Sequence, residues 1–326
     1  MINADLGSTV AKPSRAGRNP AAGRVRASRK WLPRIDFRRR IQLWGMALVL
    51  PAILFFMVFK FGPMAWAVGL SFTSYDMLSA PAYVGLENYE ALLADTVFRE
   101  SLVNTFVYIA GSTLLITVAG LALALAIATG VPGARHSMMA MFLTNLMPLI
   151  AVCLVWRFLL HPHGLVTQLL LPFGIDRVDW LTDSRIAMPM IILVTVWRFA
   201  PYFMIVFLAG LLAIPPDYYE AAEIDGANAL RRFWLITIPL LAPTIFFVVV
   251  VSALLSARIF LMPYIITGGG PGNATRVLSM LIYETGFSYF KMGRAAAISV
   301  VLFGIMMVFT FVQMRISQRG EQVYTA

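Results

Sequence analysis

The chain has 326 residues, of which 60% are hydrophobic and only 13% charged, about half the charged share of an ordinary soluble domain. That balance excludes a soluble enzyme or a soluble binding module, and the length leaves room for several membrane-crossing helices of ~20 residues each. The net charge of +10 is concentrated at one end, since residues 1–40 hold eleven Lys and Arg against Asp5 and Asp36. Directly ahead of an apolar run, such a tail holds its end in the cytoplasm and attracts anionic lipid, and is not read as a nucleic-acid arm.

The tail, rich in Arg, Ala, Gly, Ser and Pro, has little to bury and is expected to be disordered as far as about Trp31. The first span is expected over Ile41–Phe59, with a kink at Pro51. It is not a cleavable signal, because its charged lead is long and no small-residue cleavage site follows. An acidic outer segment, Lys60 to Glu100, precedes a second span within Leu102–Ile127, where Gly120, Ala122, Ala124 and Ala126 offer small faces for helix contact. A turn at Val131-Pro132-Gly133 leads to a third span from about Met138 to Trp156. After a second acidic segment, with Asp176, Asp179 and Asp183, the fourth span covers Ala187–Ile214. The fifth runs from about Leu240 to Pro263 and the sixth from about Ala295 to Met314. Arg198 and Arg258 fall inside spans four and five. Cys153, the single cysteine, reads as a small buried hydrophobe. His161 and His163 fall short of a metal site for want of further ligands.

The predicted fold is therefore an all-α polytopic membrane protein with six transmembrane helices. Both termini then lie on one side, and 16 of the 26 basic residues fall on that side, mostly near helix ends, which makes it the cytoplasmic one. The organisation expected is a basic tail over 1–40, a six-helix domain over 41–315 and a cytoplasmic tail over 316–326.

Between spans four and five lies the longest polar interruption of the second half, Pro215 to Pro243, which is cytoplasmic in this topology. Pro215 and Pro216 close one helix or open the next. Asp217 is placed to cap a new helix, with Glu220 as its reciprocal partner in a capping box. Gly226 supplies the dihedral freedom for a sharp turn, and a second short helix leads back to Pro239 and the membrane.

This stretch resembles the coupling loop of permease subunits of binding-protein-dependent ABC importers. Glu220-Ala221-Ala222, three residues, Gly226, nine residues, Ile236, then Ile238-Pro239 follows that family's pattern, with Ile238 where leucine is usual. Tyr83-Val84-Gly85-Leu86-Glu87-Asn88-Tyr89, Leu208-Ala209-Gly210-Leu211 and Thr267-x-Gly269-Gly270-Pro271 resemble the carbohydrate-uptake branch, of the maltose and glycerol-phosphate permease type. The likeness covers roughly Ile41 to Arg315.

The resemblance implies a type I importer permease fold with a cytoplasmic coupling-helix loop over 215–239. It implies that this chain forms half of a pore with a second permease subunit, is driven by two ATPase subunits that bind ATP and Mg, and is loaded by an extracytoplasmic solute-binding protein in the bacterial inner membrane. The chain itself is then no enzyme and binds no cofactor; it has no phosphate-cradling Gly-x-x-x-x-Gly-Lys-[Ser/Thr] sequence of its own. Glu220, Ala221, Ala222, Asp225 and Gly226 are implied to contact the ATPase. Solute contacts are implied at Arg198, Phe199 and Tyr202 in span four and Ser252, Leu255, Ser256 and Ile259 in span five. Leu255 and Ser256 stand where the maltose permease has an aromatic and an amide, which argues against maltose itself. Arg198 and Arg258 have two readings. Each snorkels or bonds carbonyls freed by Pro201 and Pro263, or each lines the solute path and favours an anion such as an acidic or sulfo-sugar or glycerol-3-phosphate. A rival of another class is an ATP-independent secondary transporter, against which stands the lack of acidic residues within the spans.

Overall fold

The computed structural model describes residues 37–130, 133–174 and 178–324. Most of the basic tail and the Val131-Pro132 turn thus lie outside the described residues. Two compact units divide at Phe56. The first contributes helix α1, Phe37–Phe56, which continues through Pro51. All other elements belong to the second unit.

That unit opens with a π-helical turn, Met57–Phe61, and α2, Gly62–Leu70. A second π-turn, Phe233–Thr237, precedes α11. Each ends two residues before a proline, Pro63 or Pro239. A proline ring collides with the carbonyl four residues back, and the wider turn accommodates it without breaking the helix. Strands β1 (Thr73–Ser74) and β2 (Ala82–Tyr83) pair antiparallel. Their connection is held by Asp76, whose carboxylate accepts from Ser79 Oγ and from the amides of Ser79 and Leu78. The Ser79 bonds above all hold this carboxyl below its usual range.

Then follow α3 (Glu87–Ala94), α4 (Thr96–Ala128), α5 (Ala134–Leu146), α6 (Leu149–Leu159) and α7 (Leu165–Leu170). Next come α8 (Ala187–Leu212), α9 (Asp217–Ile224), α10 (Ala229–Arg232) and α11 (Ile238–Ala257). The chain closes with α12 (Leu261–Ile266), α13 (Leu278–Tyr283), a third π-turn (Glu284–Ser288) and α14 (Met292–Tyr324).

Among the described residues five helical runs are long and apolar enough to cross a membrane: Trp44–Leu70, Thr96–Ala128, Ala187–Leu212, Ala229–Ala257 and Met292–Arg315. The sixth is a broken pair, His136–Leu146 with Leu149–Leu159, bent by 104°. Counting that pair as one span gives the six expected, with two differences from the sequence reading. The third is not one straight helix, because Pro148 cannot continue the hydrogen-bond ladder. The fifth stops at Ala257, so Arg258 caps its end and Pro263 belongs to the separate α12.

The unit is built on α4 and α8, which pack along most of their lengths, with α11 laid against α4. Along α4 a buried stripe recurs every four residues, Tyr108, Ser112, Ile116, Gly120 and Ala124. A Cβ on Gly120 would sit 3.4 Å from Met204 N, Phe203 Cβ and Phe207 Cδ2 of α8, so the missing side chain sets the spacing of the two helices. Ala122 and Ala126, expected to share that role, are exposed, as a 3.6-residue period dictates. Hydroxyl pairs tie the stripe across helices: Tyr108 Oη to Thr195 Oγ1 at 2.7 Å and Ser112 Oγ to Ser256 Oγ at 2.8 Å. At the end away from α9, Arg294 of α14 pairs with Asp95, and Asp95 also caps α4 by accepting from Val97 N at 2.8 Å.

Candidate functional site

Two places gather the residues singled out by sequence. The first is the polar segment after α8. Pro216 occupies the N-cap position of α9, with no side-chain cap bond. The expected capping box is therefore not formed. The chain enters the helix one residue earlier, and Asp217 is already helical. Asp217 and Glu220 instead place two carboxylates in the first turn, where the helix dipole favours them. Glu220, Ala221 and Asp225 are exposed and Ala222 is half-buried.

Gly226 has φ +74, and its amide and that of Ala227 donate to the carbonyls of Glu223 and Ala222, at 3.0 and 2.9 Å. This is a Schellman closure, and it needs a residue that tolerates the left-handed region. Asn228 then caps α10 by accepting from Arg231 N at 2.8 Å. Two contacts fold the helix pair on itself: Arg232 Nη1 donates to Glu223 Oε2 at 3.0 Å, and Tyr219 Oη meets Thr237 Oγ1 at 3.0 Å. Tyr218, Ile224 and Leu230 are exposed, Ile224 at 87%, so this short, internally braced helix pair leaves large apolar side chains uncovered beside the carboxylates of Asp217, Glu220 and Asp225.

The second place is a small cavity between α4, α8 and α11. Phe199, Ser252, Leu255, Ser256 and Ile259 line it, together with Tyr108, Ile116, Thr195 and Phe203. Five of the residues proposed for solute contact thus share one wall-lined space. Its volume is about 10 Å³, room for a single water. Tyr108, Ile116, Thr195 and Phe203 escaped the sequence reading; all are ordinary residues of apolar helices, and only the meeting of α4 with α8 pairs the hydroxyls of Tyr108 and Thr195. Arg198, Tyr202 and Arg258 do not line this cavity. Tyr202 lies on an outward face at 47% exposure. Arg258 is exposed at the end of α11, where its charge suits a helix C-terminus. Arg198 is buried, and its Nη2 donates to the main-chain oxygens of Asn145 and Met147. A larger cavity of about 410 Å³ lies between α4, α11 and α14. It is lined almost wholly by apolar side chains and by none of the residues above, so the chemistry points to the smaller one. Among the described residues no group of His, Cys, Asp and Glu is arranged to hold a metal ion.

Comparison with known proteins bears on the chain as a whole. Residues 116–321 match the family described as binding-protein-dependent transport system inner membrane component. The chain is 34% identical over 284 residues to a probable ABC transporter permease protein, YesP, of Bacillus subtilis, spanning 86% of this chain and 92% of that one. It is 33% identical to the sulfoquinovosyl glycerol transport system permease protein SmoG of Agrobacterium fabrum, over 91% and 98% of the two chains. It is 35% identical to the sn-glycerol-3-phosphate permease protein UgpA of the same organism, over 83% and 94%. Among solved structures, a bacterial ABC transporter that imports the acidic polysaccharide alginate superposes with a TM-score of 0.73 at 25% identity, covering 87% of this chain and 97% of that chain. A permease of that system has also been seen with its pentasaccharide-bound periplasmic protein. With a family model matched over residues 116–321 and relatives of 33–35% identity covering 83–91% of it, the chain belongs to the permease family of binding-protein-dependent ABC importers, as a multi-pass transport subunit whose ATPase is a separate chain.

Proposed function

We propose that the chain forms half of the translocation pore of an importer for a sugar or oligosaccharide. It pairs with a second permease subunit in the bacterial inner membrane, with both termini cytoplasmic. The observation that carries the reading is the α9–Gly226–α10 unit, a braced and exposed helix pair placed directly after α8, one of the cavity helices. In this reading α9 docks in a cleft on one of two ATPase subunits. Glu220 faces a basic group there, and Ala221 and Ala222 allow close approach. ATP and Mg are held by the ATPase chains. Closure of the ATPases moves α8 and α11 and opens the cavity to a solute delivered by the external binding protein. Phe199 offers an apolar face to a sugar ring, and Ser252 and Ser256 offer hydroxyls. The trehalose/maltose permease of Thermococcus litoralis, 31% identical over 84% of this chain, and the relatives above support a carbohydrate or a close analogue.

Copurification tests the first half of this reading: the chain should bring down a second permease and an ATPase. Gly226→Asp should leave the complex in the membrane while stimulated ATP hydrolysis and uptake fall together, and so should Glu220→Lys. Normal transport by an assembled Gly226→Asp complex would sink the docking role. A thermal-shift screen of the external binding protein against neutral and acidic sugars then names the solute class.

A further inference from the structure

The break in the third span is held by a side chain from another helix. α5 ends at Leu146, α6 starts at Leu149, and Met147 between them is extended, with φ −72 and ψ 139. Pro148 brings no N–H for Thr144 O, and the extended Met147 turns the chain so that Asn145 O and Met147 O lose the donors a continued helix would give them. Within a bilayer no water replaces those donors. Arg198, in the middle of α8, does: its Nη2 lies 2.9 Å from both Asn145 O and Met147 O. A cation at a helix C-terminus also meets the favourable end of the dipole. The cost of placing it there is evident. Arg198 is 8% exposed, no ion pair described joins it to a carboxylate, and its Nε and Nη1 and the neighbouring Asn145 Nδ2 are buried without acceptors. A charge held in that setting for two carbonyls has a job that those carbonyls define.

The halves on either side of the break have different neighbours. α5 lies against α8 and α4, whereas α6 lies against α12, where Arg157 Nη1 donates to Ile265 O at 3.2 Å. α6 also reaches the α8 core further along, through Cys153 and the Trp156–Trp197 ring contact, and at the break itself the corner at Asn145–Met147 is tied to α8 by Arg198. We propose that Arg198 is a positioning residue that pins this corner to α8 and thereby keeps α6 seated on the α8 core. The reading of Arg198 as a direct solute contact is then replaced by one in which it acts through the third span, and this rests on the permease function proposed above.

Cys153 is a built-in reporter. It is the chain's sole cysteine, sits on α6 just past the break and is fully buried in the cluster that includes Met188, Ile191 and Ile192 of α8. In membranes carrying the complete importer, Cys153 of the wild type should resist N-ethylmaleimide. Arg198→Gln should raise its labelling rate by about tenfold, as expected when a local opening loses its main restraint. Arg198→Lys should lie between, because an ammonium reaches a carbonyl but lacks the planar fork. Unchanged labelling in Arg198→Gln overturns the proposal, and so does failure of lysine to restore any protection. Should Arg198→Gln not accumulate, Pro148→Ala in the same chain decides. It lets α5 run on into α6, where the amides of Leu149 and Ala151 would meet Asn145 O and Met147 O and make the pin dispensable, so accumulation and a protected Cys153 are expected, and continued absence from the membrane overturns the idea. Labelling needs no ATP, so its outcome is independent of whether α9 couples to an ATPase.

Discussion

Single side chains in the cavity differ sharply in what they carry. Ser112 Oγ lies 2.5 Å from Tyr108 O as well as 2.8 Å from Ser256 Oγ. Its one proton therefore has a home without Ser256. Ser256→Ala should cost little, within ~1 kcal/mol, since no buried group is left unpaired. Ser256→Leu is another matter. The cavity has room for one water, and extra methylenes in a filled space cost ~1–3 kcal/mol. Its expected signature is a complex that still hydrolyses ATP on binding-protein docking but takes up sugar poorly; equal uptake by both variants would remove Ser256 from the solute path. Phe199, Ser252, Leu255, Ser256 and Ile259 of this wall were named in the sequence through the family likeness. Tyr108 and Thr195 were not, because a hydroxyl in an apolar helix has no signature until its partner helix is placed.

At the scale of elements, the coupling segment was legible as two helices and a turn, and the turn was right to the residue. What sequence misjudged was the start of α9. Asp-x-x-Glu reads as a capping box, but Pro216 has backbone angles already compatible with helix, φ −62 and ψ −27, and takes the cap position first. This makes two acidic and amide residues behave differently from their usual ranking. Asp217→Asn should barely change the segment. Asn228→Ala removes an actual cap and should loosen α10 by about 1 kcal/mol. Hydrogen exchange over 226–232 in the assembled complex distinguishes them; equal protection in both variants would refute the assignment of caps. The third span was read only as a run from about Met138 to Trp156, without its break. A lone proline in an apolar run is compatible with a kink or a break, and the partner of the freed carbonyls, Arg198, lies on a helix that sequence cannot place beside it.

Across the whole second unit, the end away from α9 is fastened by few groups with shared duties. Asp95 caps α4 and pairs with Arg294. Gly293 beside it lets α14 approach the hairpin so closely that a Cβ there would lie 1.9 Å from Thr73 O. Asp95→Asn should keep the cap and lose the ion pair, and Asp95→Ala should lose both, so thermal stability should fall in that order, with about 1 kcal/mol between the variants. A single step shared by both would mean that the cap contributes nothing. At the opposite end the braced helix pair hangs from α8, and between the two ends lies the cavity with space for one water. Its smallness bears on more than solute binding. A cell keeps a voltage across its membrane, and any wetted thread through a transporter would drain it. With Tyr108, Thr195, Ser252 and Ser256 set among apolar side chains and closed around a volume no sugar or hydrated ion can enter, the cavity offers ions no path through this subunit. Entry of solute then has to wait for the helices to part.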